Sequence, residues 1–373
     1  PVPVEYGGHY SILGFCHTFY QLIPPDKYFK DHPEWFSMIN GKRTSEGAQL
    51  CLANEEMHKE LVKNALEWIK KDPSAGIISI AQNDWRGQCQ CPECAALEKA
   101  EGSPSGPVVN FVNKVAADIE KQYPDFLVET LAYQYTRTAP KTIKPRDNVL
   151  IRLCSIECDY GLPFTDPKNK SFKDDLEAWS KISNHLFIWS YIANFGNYLY
   201  PNPCLPVYET NIRMFEKNKA AGVFMQGDAY NEGACFVRLR SWVIAHLLWN
   251  PSLSEKSLVK EFMDGYYGTA SPYLTKYLQL IDTAYAKHTT ASWMTPNDIY
   301  EGLKLFEDAA KAVKDDPVLL DRVNRERLPL DYLVINNSDT LKSWCADNNK
   351  EIKALKDLPA SIAAFEAATE KYN

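Results

Sequence analysis

The stretch Ile77–Cys94, IISIAQNDWRGQCQCPEC, decides the fold of this chain. Its short apolar run, Ile77–Ala81, breaks abruptly into the polar residues QNDW at 82–85, which predicts a buried strand that leaves the core there. In parallel α/β folds the functional groups gather at the carboxyl ends of the strands. An acid, two amides and an indole at such an edge are typical of a sugar-binding site.

Strand and helix candidates alternate along the chain as far as residue 249. The strand candidates are Gln49–Ala53, Ile77–Ala81, Phe126–Tyr133, Asn148–Ser155, His185–Ser190 and Ala221–Gln226, with a strand end within Tyr6–Tyr20. Near-continuous apolar strands joined by helices indicate a parallel sheet with crossover connections. We therefore predict an α/β fold, a (β/α)8 TIM-type barrel over residues 1–250, with its first strand or two weak or missing.

Beyond Pro251 the strand candidates stop and helical periodicity takes over. The helical segments include Leu258–Tyr267, Tyr273–Ala286, Ile299–Val313 and Leu319–Val334. Residues 251–373 are predicted to form a C-terminal helical region that packs on the barrel.

Composition excludes several classes of function. The 373 residues carry a net charge of −7, which argues against a nucleic-acid or anionic-membrane partner, because both require a basic surface. No apolar run reaches membrane-spanning length. The chain contains no G-x-S-x-G, no P-loop and no dinucleotide-binding glycine motif. In contrast, 21 Tyr, 16 Phe and 9 Trp supply the aromatic faces that cover sugar rings, although most aromatic residues in any protein form core.

Three acids at predicted strand ends are the catalytic candidates, because glycoside hydrolysis usually needs a carboxylic acid and a second stabilising group. Asp84 is the strongest, since Trp85 beside it supplies an apolar wall; the alternative is a helix cap or a loop hydrogen bond. Glu157 is the second, and its structural alternative is a salt bridge to an arginine such as Arg152. Asp228 follows a glycine that lets the backbone approach a ligand.

Further polar and aromatic side chains at the same predicted edge, or in the loops over it, are the substrate-binding candidates. A structural role is the alternative for each of them. They are His9, His17, Trp35, Asn83, Trp85, Tyr133, Tyr135, Trp189, Tyr191 and Gln226.

Cys89, Cys91 and Cys94 form a C-x-C-x2-C pattern, which is half of a zinc or cluster site. No second motif pairs with it, so a distant Cys or His would have to complete four ligands. A metal here would be a structural zinc; a disulfide or free thiols are the alternatives. Cys51, at a predicted strand, is expected to be a free buried thiol. No cofactor is required for the proposed chemistry.

Several motifs occur in an order that resembles one known family. They are HPEWF with NGKR, QLCL, AQNDW with CQCPEC, LAYQYT, NVLIRLCSIE, and LLWNPS with EFMDGYYG. The family consists of bacterial glycoside-hydrolase-like barrels that were long catalogued as a domain of unknown function and are common in gut glycan-degrading bacteria. The resemblance runs from about Gly8 to about Tyr277. Some members are placed in glycoside hydrolase family 163, endo-β-N-acetylglucosaminidases that cut complex N-glycans.

The resemblance implies a retaining, substrate-assisted mechanism in which the sugar's acetamido group is the nucleophile. Asp84 or Glu157 would then be the acid/base, and a neighbouring acid would hold the acetamido nitrogen. It also implies a glycan or glycoprotein partner and a periplasmic, cell-surface or secreted location. Family members usually carry a further N-terminal region before the segment matched here.

Two other functions stay open. An α-glucuronidase-like or other hexosidase would use arginines for the uronate carboxylate, and Arg137, Arg152 and Arg238 are available. A glycan-binding barrel without catalysis would have strand-end carboxyls that point apart or pair with arginines.

Overall fold

The structure is a computed structural model that describes residues 11–228, 233–287 and 293–372. His9 lies outside the described residues. The fold is mixed α/β, as the alternating pattern predicts. Of the described helices, none is long and apolar enough to cross a membrane.

The strands occur in two sheets. They are β1 (Ile12–Leu13), β2 (Met38–Ile39), β3 (Lys42–Arg43), β4 (Ile77–Ser79), β5 (Leu127–Ala132), β6 (Val149–Cys154), β7 (His185–Tyr191) and β8 (Gly222–Gln226).

The helices before residue 250 mostly separate the strands, and those after it follow one another. They are α1 (Phe19–Leu22), α2 (Pro25–Tyr28), α3 (Glu55–Lys71), α4 (Pro92–Glu101), α5 (Ser105–Glu120), α6 (Lys170–Ile182), α7 (Tyr208–Lys217), α8 (Val237–Trp249), α9 (Glu255–Tyr267), α10 (Ser271–Lys287), α11 (Pro296–Ala312), α12 (Pro317–Asn336), α13 (Ser338–Asp347) and α14 (Leu358–Tyr372).

The main sheet has six strands in the order β1-β4-β5-β6-β7-β8, and it curls into a parallel half-barrel. In-register pairs such as Ile78 with Val128 and Leu153 with Ile188 run across it. The described residues therefore form six strands of a barrel-like parallel sheet, and a full (β/α)8 barrel is not confirmed. The strand predicted at Gln49–Ala53 is wrong: only an isolated bridge between Phe36 and Leu50 forms there.

Helix α3 illustrates how local sequence sets an element. The side chain of Asn54 accepts a hydrogen bond from the Met57 N–H at 2.8 Å, which caps the first turn. Acidic residues occupy the first turn and lysines the last, as the helix dipole favours. Leu61, Ala65 and Ile69 recur at helical spacing and are buried, so this face turns inward, and the helix contacts α1 and α5.

The described residues divide into two compact units. Unit 1 lies within Pro1–Cys158, Lys170–Ser190 and Lys217–Phe224, and contains almost all of the main sheet. Unit 2 lies within Asp159–Asn169, Tyr191–Glu216 and Met225–Asn373, and contains α8 to α14. The four helical segments predicted after residue 250 are confirmed as α9 to α12. Two earlier segments, 159–169 and 191–216, group with these helices in unit 2; the predicted division at residue 250 stays a prediction.

Candidate active site and four-cysteine cluster

Asp84 lies beyond the carboxyl end of β4, in the polar lip formed by residues 82–85. The phenol of Tyr133, which follows β5, donates a hydrogen bond to Asp84 Oδ1 at 3.0 Å. His17 Nε2, from the loop after β1, lies 3.6 Å from the same oxygen. The carboxylate is still 58% exposed. These three residues, called the mouth cluster below, bring an accessible acid together with two groups that carry or accept a proton.

The orientation of the His17 ring follows from its other nitrogen. Nδ1 lies 2.7 Å from the carbonyl oxygen of Gln82, and because a carbonyl only accepts, Nδ1 carries a proton. In a neutral ring the lone pair therefore sits on Nε2, on the side of Asp84. His17 adopts a left-handed backbone conformation, with φ of 55°. This unusual conformation for a non-glycine residue indicates that the surrounding contacts hold the ring in place.

Tyr133 acts as a hydrogen-bond donor in this cluster. Burial raises the pKa of its phenol, and the negative charge of Asp84 raises it further, so the hydroxyl stays protonated. Its oxygen also accepts a hydrogen bond from the Gln134 amide at 2.9 Å. Tyr133 can therefore stabilise the ionised form of Asp84.

The lip itself is held by amide side chains. Asn83 is buried, and its amide donates to the Ala48 carbonyl and accepts from the Tyr20 N–H. Gln49 accepts from the Asn83 N–H and donates to the Trp85 carbonyl at 2.6 Å. Because both ends of the Asn83 amide are occupied, its observed role is to shape the lip; substrate binding by Asn83 stays a prediction.

Trp85 keeps part of its indole accessible beside Asp84. The ring nitrogen donates to the Ala48 carbonyl at 2.8 Å, which fixes the ring, and 40% of the residue remains exposed. Its edge packs against Tyr20. The indole is therefore fixed and half-exposed next in sequence to Asp84, and its role in substrate binding stays a prediction.

An aromatic wall formed by Phe15, Trp189 and Phe224 lies on the same unit. Phe15 and Phe224 are each about 5 Å from Trp189, centroid to centroid, and both are partly exposed. The guanidinium of Arg152 lies beneath, 4.8 Å from the Phe15 ring and 5.6 Å from Trp189. The loop that carries Phe15 and His17 thus spans from the wall to the mouth cluster.

Arg152 forms a fully buried ion pair with Glu129, in which Nε and Oε1 are 3.3 Å apart. Burial raises the pKa of Glu129, and the charge of Arg152 opposes that rise. Arg152 also donates from Nη1 to the Phe15 carbonyl, whereas Nη2 has no hydrogen-bond partner among the described residues. A buried donor of this kind is costly unless a water or a polar ligand satisfies it.

Cys16, between Phe15 and His17, is not a nucleophile candidate. Burial and the negative charge of Glu129 raise the pKa of the Cys16 thiol to about 11. The thiolate, which is the reactive form, is therefore a minor species at neutral pH.

Glu157 follows β6 and is held by an arginine, though not by the one that the sequence suggested. Its Oε2 accepts from Arg137 Nη1 at 2.9 Å, and Arg137 also pairs with Asp175 and donates to Ser171. The Glu157 side chain is 42% exposed. Glu157 therefore forms a salt bridge, as the structural alternative predicts, but its partner is Arg137 and not Arg152.

Asp228 belongs to unit 2, where it pairs with the fully buried Arg240. Its Oδ2 lies 2.5 Å from Arg240 Nη2, and only 3% of the Asp228 side chain is exposed. Arg240 also donates to the carbonyls of Ile192 and Cys235. Asp228 is thus built into the core of its unit.

The remaining candidates lie in less accessible places. Trp35 is buried, with its ring stacked on His32 at 4.1 Å, so little of it is available to a sugar. Tyr135 lines a small cavity together with Cys94 and Glu98, and Asp84 is not among the residues that line it. Tyr191 and Gln226 are in unit 2, where Tyr191 stacks on Tyr160 and the Gln226 carbonyl accepts from the Ile192 N–H.

Four buried cysteines form the second feature of unit 1. The sulfur atoms of Cys51, Cys89, Cys91 and Cys94 all lie within 4.8 Å of one another. Cys91 is the N-cap of α4 and Cys94 lies in its first turn, so the two sulfurs share one face. The four residues together could bind a metal ion.

Surrounding donors favour negative charge on this four-cysteine cluster. The Met38 N–H donates to Cys89 Sγ at 3.3 Å, and Arg43 Nη1 lies 3.6 Å from the same sulfur. Hydrogen bonds from Cys51 and Cys94 hold the pKa of Cys89 below its usual value, whereas burial raises that of Cys91 to about 12. Four adjacent thiols therefore do not ionise together without a cation between them.

Sequence reasoning missed three features of these sites: the role of Cys51, the buried acid Glu129, and the pairing of Glu129 with Arg152, which was named only as a partner for Glu157 or for a uronate. Cys51 was expected to be an isolated thiol, but it completes the cluster from 38 residues before Cys89. Glu129 and Arg152 are single charged residues inside apolar strands, LVETLA and VLIRLC. A charge in a strand that is buried on both faces must find a partner, and that signal points to a buried pair.

Comparisons with known proteins give one family. The model of the family described as Domain of unknown function (DUF4838) matches residues 4–279, which is more than half of the chain. No curated protein matches the chain. The match confirms the resemblance to a family of unknown function and does not extend to glycoside hydrolase family 163. On the strength of this match, the chain belongs to the DUF4838 family of domains of unknown function.

Proposed function

We propose that this protein is a glycoside hydrolase that uses Asp84 as its general acid and base. The observation that carries the proposal is the mouth cluster: an accessible carboxylate at the end of a buried parallel strand, contacted by His17 and Tyr133. A carboxyl group must be both accessible and protonatable to donate to a leaving oxygen. Asp84 meets the first requirement better than Glu157 or Asp228.

The reaction that the resemblance implies is retaining and substrate-assisted. The acetamido oxygen of an N-acetylglucosamine residue attacks C1, the glycosidic C–O bond breaks, and Asp84 gives its proton to the leaving oxygen. Water then opens the cyclic intermediate and returns a proton to Asp84. The Nε2 lone pair of His17 faces this carboxyl and can share its proton, while the Tyr133 hydroxyl stabilises the carboxylate after transfer.

Binding of a sugar would use the exposed aromatic surface of unit 1. Trp85 offers a fixed ring beside Asp84, and Phe15 and Phe224 offer further apolar faces. The unpartnered Nη2 of Arg152 is buried beneath them, so a bound water, and not the sugar itself, would satisfy this donor. The proposed substrate class is a β-linked N-acetylglucosamine in a complex N-glycan, and the resemblance implies a periplasmic, cell-surface or secreted enzyme.

Glu157 is the proposed second carboxylate, which would accept the acetamido N–H. Arg137 binds its Oε2 and orients the group. Strands β4 and β6 are separated by β5, so their backbones lie roughly 10 Å apart and both side chains must extend toward one sugar.

Catalysis needs no cofactor, and we propose that the four-cysteine cluster holds a structural zinc ion. Four thiolates leave no open coordination position, which is the mark of a structural site. Soft thiolate ligands also favour zinc over magnesium or calcium.

One observation favours the alternative of a glycan-binding barrel without catalysis. Glu157 and Asp228 both pair with arginines, as that alternative requires. The α-glucuronidase-like alternative loses support, because Arg137 and Arg152 are already engaged by Glu157 and Glu129.

The test is hydrolysis of a complex N-glycan glycoprotein, with the released glycans identified by mass spectrometry. We expect release by the wild type, none by Asp84→Asn, and little by Glu157→Gln. The matched control is Asp125→Asn. Asp125 is an exposed acid that precedes β5, at the amino-terminal end of the strand, whereas Asp84 follows the carboxyl end of β4. Retained glycan without hydrolysis in the wild type would replace the hydrolase with the binding barrel.

A further inference from the structure

The four-cysteine cluster lies where three segments meet, next to the lip in sequence. Cys89, Cys91 and Cys94 directly follow the lip in sequence. Cys51 comes from the segment 48–51, and the Met38 N–H and Arg43 reach Cys89 from the two strands of the β2–β3 hairpin. A metal ion bound here would therefore join these segments at one point.

The geometry of the sulfurs fits a tetrahedral ion. A Zn–S distance of about 2.3 Å in a regular tetrahedron places the sulfurs about 3.8 Å apart. The sulfurs of Cys51 and Cys91 are 3.7 Å apart, and all four lie within 4.8 Å of one another. A disulfide has sulfurs about 2 Å apart, so the cluster is arranged around a common centre and not as bonded pairs.

Hydrogen bonds connect Cys51 rigidly to the lip. Two residues before it, Gln49 bonds to the backbone of Asn83 and Trp85, as described above, and its own N–H donates to the Gly87 carbonyl at 3.0 Å. Ala48 accepts from both Asn83 and Trp85. Any shift of Cys51 relative to Cys89 would therefore displace the residues on either side of Asp84.

Gly87 shows how tightly these segments approach. Its φ is +99°, and a Cβ at this position would lie 2.2 Å from the Gly47 carbonyl oxygen. Only glycine fits both the conformation and the contact. The two segments thus meet with no space for adjustment.

We propose that a zinc ion bound by Cys51, Cys89, Cys91 and Cys94 fixes the lip that carries Asp84, and that Arg43 is its outer-sphere partner. Four thiolates and one Zn²⁺ leave a charge of −2, and the Arg43 guanidinium beside Cys89 offsets part of it. This inference rests on the structural zinc proposed above. The metal takes no part in the reaction; it positions the carboxylate that does.

The first part of the test asks whether the ion is there. Metal analysis of the purified full chain should give one zinc per chain, and Co²⁺ replacement should give the absorption bands of a tetrahedral thiolate site. Cys51→Ser should lose the metal, whereas Cys345→Ser, a buried cysteine of α13 outside the cluster, should keep it. Arg43→Gln should weaken zinc binding against a competing chelator by about 10–100-fold.

The second part measures the lip by hydrogen–deuterium exchange with and without zinc, under reducing conditions. Zinc removal should speed amide exchange over residues 82–91 by about tenfold or more, while β6 stays protected. If the purified protein contains no zinc and Co²⁺ gives no tetrahedral thiolate bands, the proposal that the four cysteines bind a structural metal is wrong. Bound zinc whose removal leaves lip exchange unchanged, or opens β6 equally, would leave the metal standing and overturn its role in fixing the lip. Glycan release is measured in a separate assay. A protein that binds zinc but does not hydrolyse glycans would therefore contradict the proposed hydrolase function and not the metal site or its role in the lip.

Discussion

Asp84 and Asp228 are the same residue type at equivalent sequence positions, each shortly after a strand of the sheet, yet their surroundings differ. Asp84 is more than half exposed and contacts an imidazole and a phenol. Asp228 is almost fully buried and contacts the guanidinium of Arg240. An exposed carboxylate whose neighbours are an imidazole and a phenol can gain and lose a proton during a reaction without leaving a buried charge unpaired. One that neutralises a buried cation cannot do so without leaving that cation unpaired.

The difference teaches that a strand-end acid is a catalytic candidate only when its partners leave it accessible. Glu157 lies between the two cases, because it is partly exposed and paired to Arg137. The four predictions below test this ranking of the carboxylates, from the largest expected effect to the smallest.

Asp84→Asn should lower kcat/KM for the glycan substrate by about 10²–10⁴-fold, because the amide cannot transfer a proton. The free energy of unfolding should change little, since the side chain is largely exposed. Steady-state kinetics and urea unfolding of the same preparation measure both quantities. Equal losses of activity in Asp84→Asn and the Asp125→Asn control would remove Asp84 from the mechanism.

Asp228→Asn should lower the free energy of unfolding by about 3–5 kcal/mol, because Arg240 would remain buried without its counter-charge. Urea unfolding monitored by fluorescence measures the loss. Replacing both partners, as in Asp228→Asn with Arg240→Met, should recover part of it. A single variant as stable as the wild type would show that the buried pair is not what makes Asp228 structural.

Glu255 provides a third kind of carboxylate, partly buried beside another acid. Burial and the charge of Glu209 raise the pKa of Glu255 to about 7. Because the folded state holds this proton more tightly than the unfolded state, stability contributed by the protonated form is lost as pH rises from about 4.5 to about 7. Glu255→Gln should therefore stabilise the protein by about 3 kcal/mol at pH 8 and by little at pH 4.

Thermal unfolding of the wild type and Glu255→Gln across that pH range measures this effect. The glutamine can still accept the hydrogen bond that Glu255 receives from the Glu209 N–H, so the cap between α7 and α9 is retained. A stability difference that does not vary with pH would contradict the raised pKa.

Glu157→Gln should change the free energy of unfolding by less than about 1 kcal/mol, because a partly exposed ion pair contributes little. Arg137 keeps its contacts with Asp175 and Ser171 in this variant. Urea unfolding beside the wild type is the measurement. A loss as large as that of Asp228→Asn would place Glu157 among the structural acids.

The sequence predicts the parts of the fold that depend on local pattern. The apolar runs that become β4 to β8, the Asn54 cap of α3 and the helices after residue 250 all follow from periodicity and end signals. The strand predicted at Gln49–Ala53 fails for a non-local reason. Only Leu50 pairs there, with Phe36, because the Ala48 carbonyl and the Gln49 side chain bond to the lip and the Gln49 N–H donates to the Gly87 carbonyl.

The candidate site is predicted only where its chemistry follows a strand. Asp84, Trp85 and Tyr133 each come directly after an apolar run, and the structure places them at the predicted edge. Cys51 and Arg137 could not be assigned, because their partners are fixed by how the chain returns on itself and not by spacing. Trp35 was a candidate because it lies in a polar loop. The structure buries its ring, which stacks on His32, and loop position alone does not reveal this.

The close contact between Gly87 and the Gly47 carbonyl also leads to an expectation about which residues are conserved together in the family. A lineage that loses one cysteine of the cluster no longer needs these two segments held together, so its glycine at 87 is released from the same constraint. We therefore expect the four cysteines and Gly87 to be inherited as a set within the family. An alignment of family members measures this by counting the sequences that keep some of these five residues and lack the others.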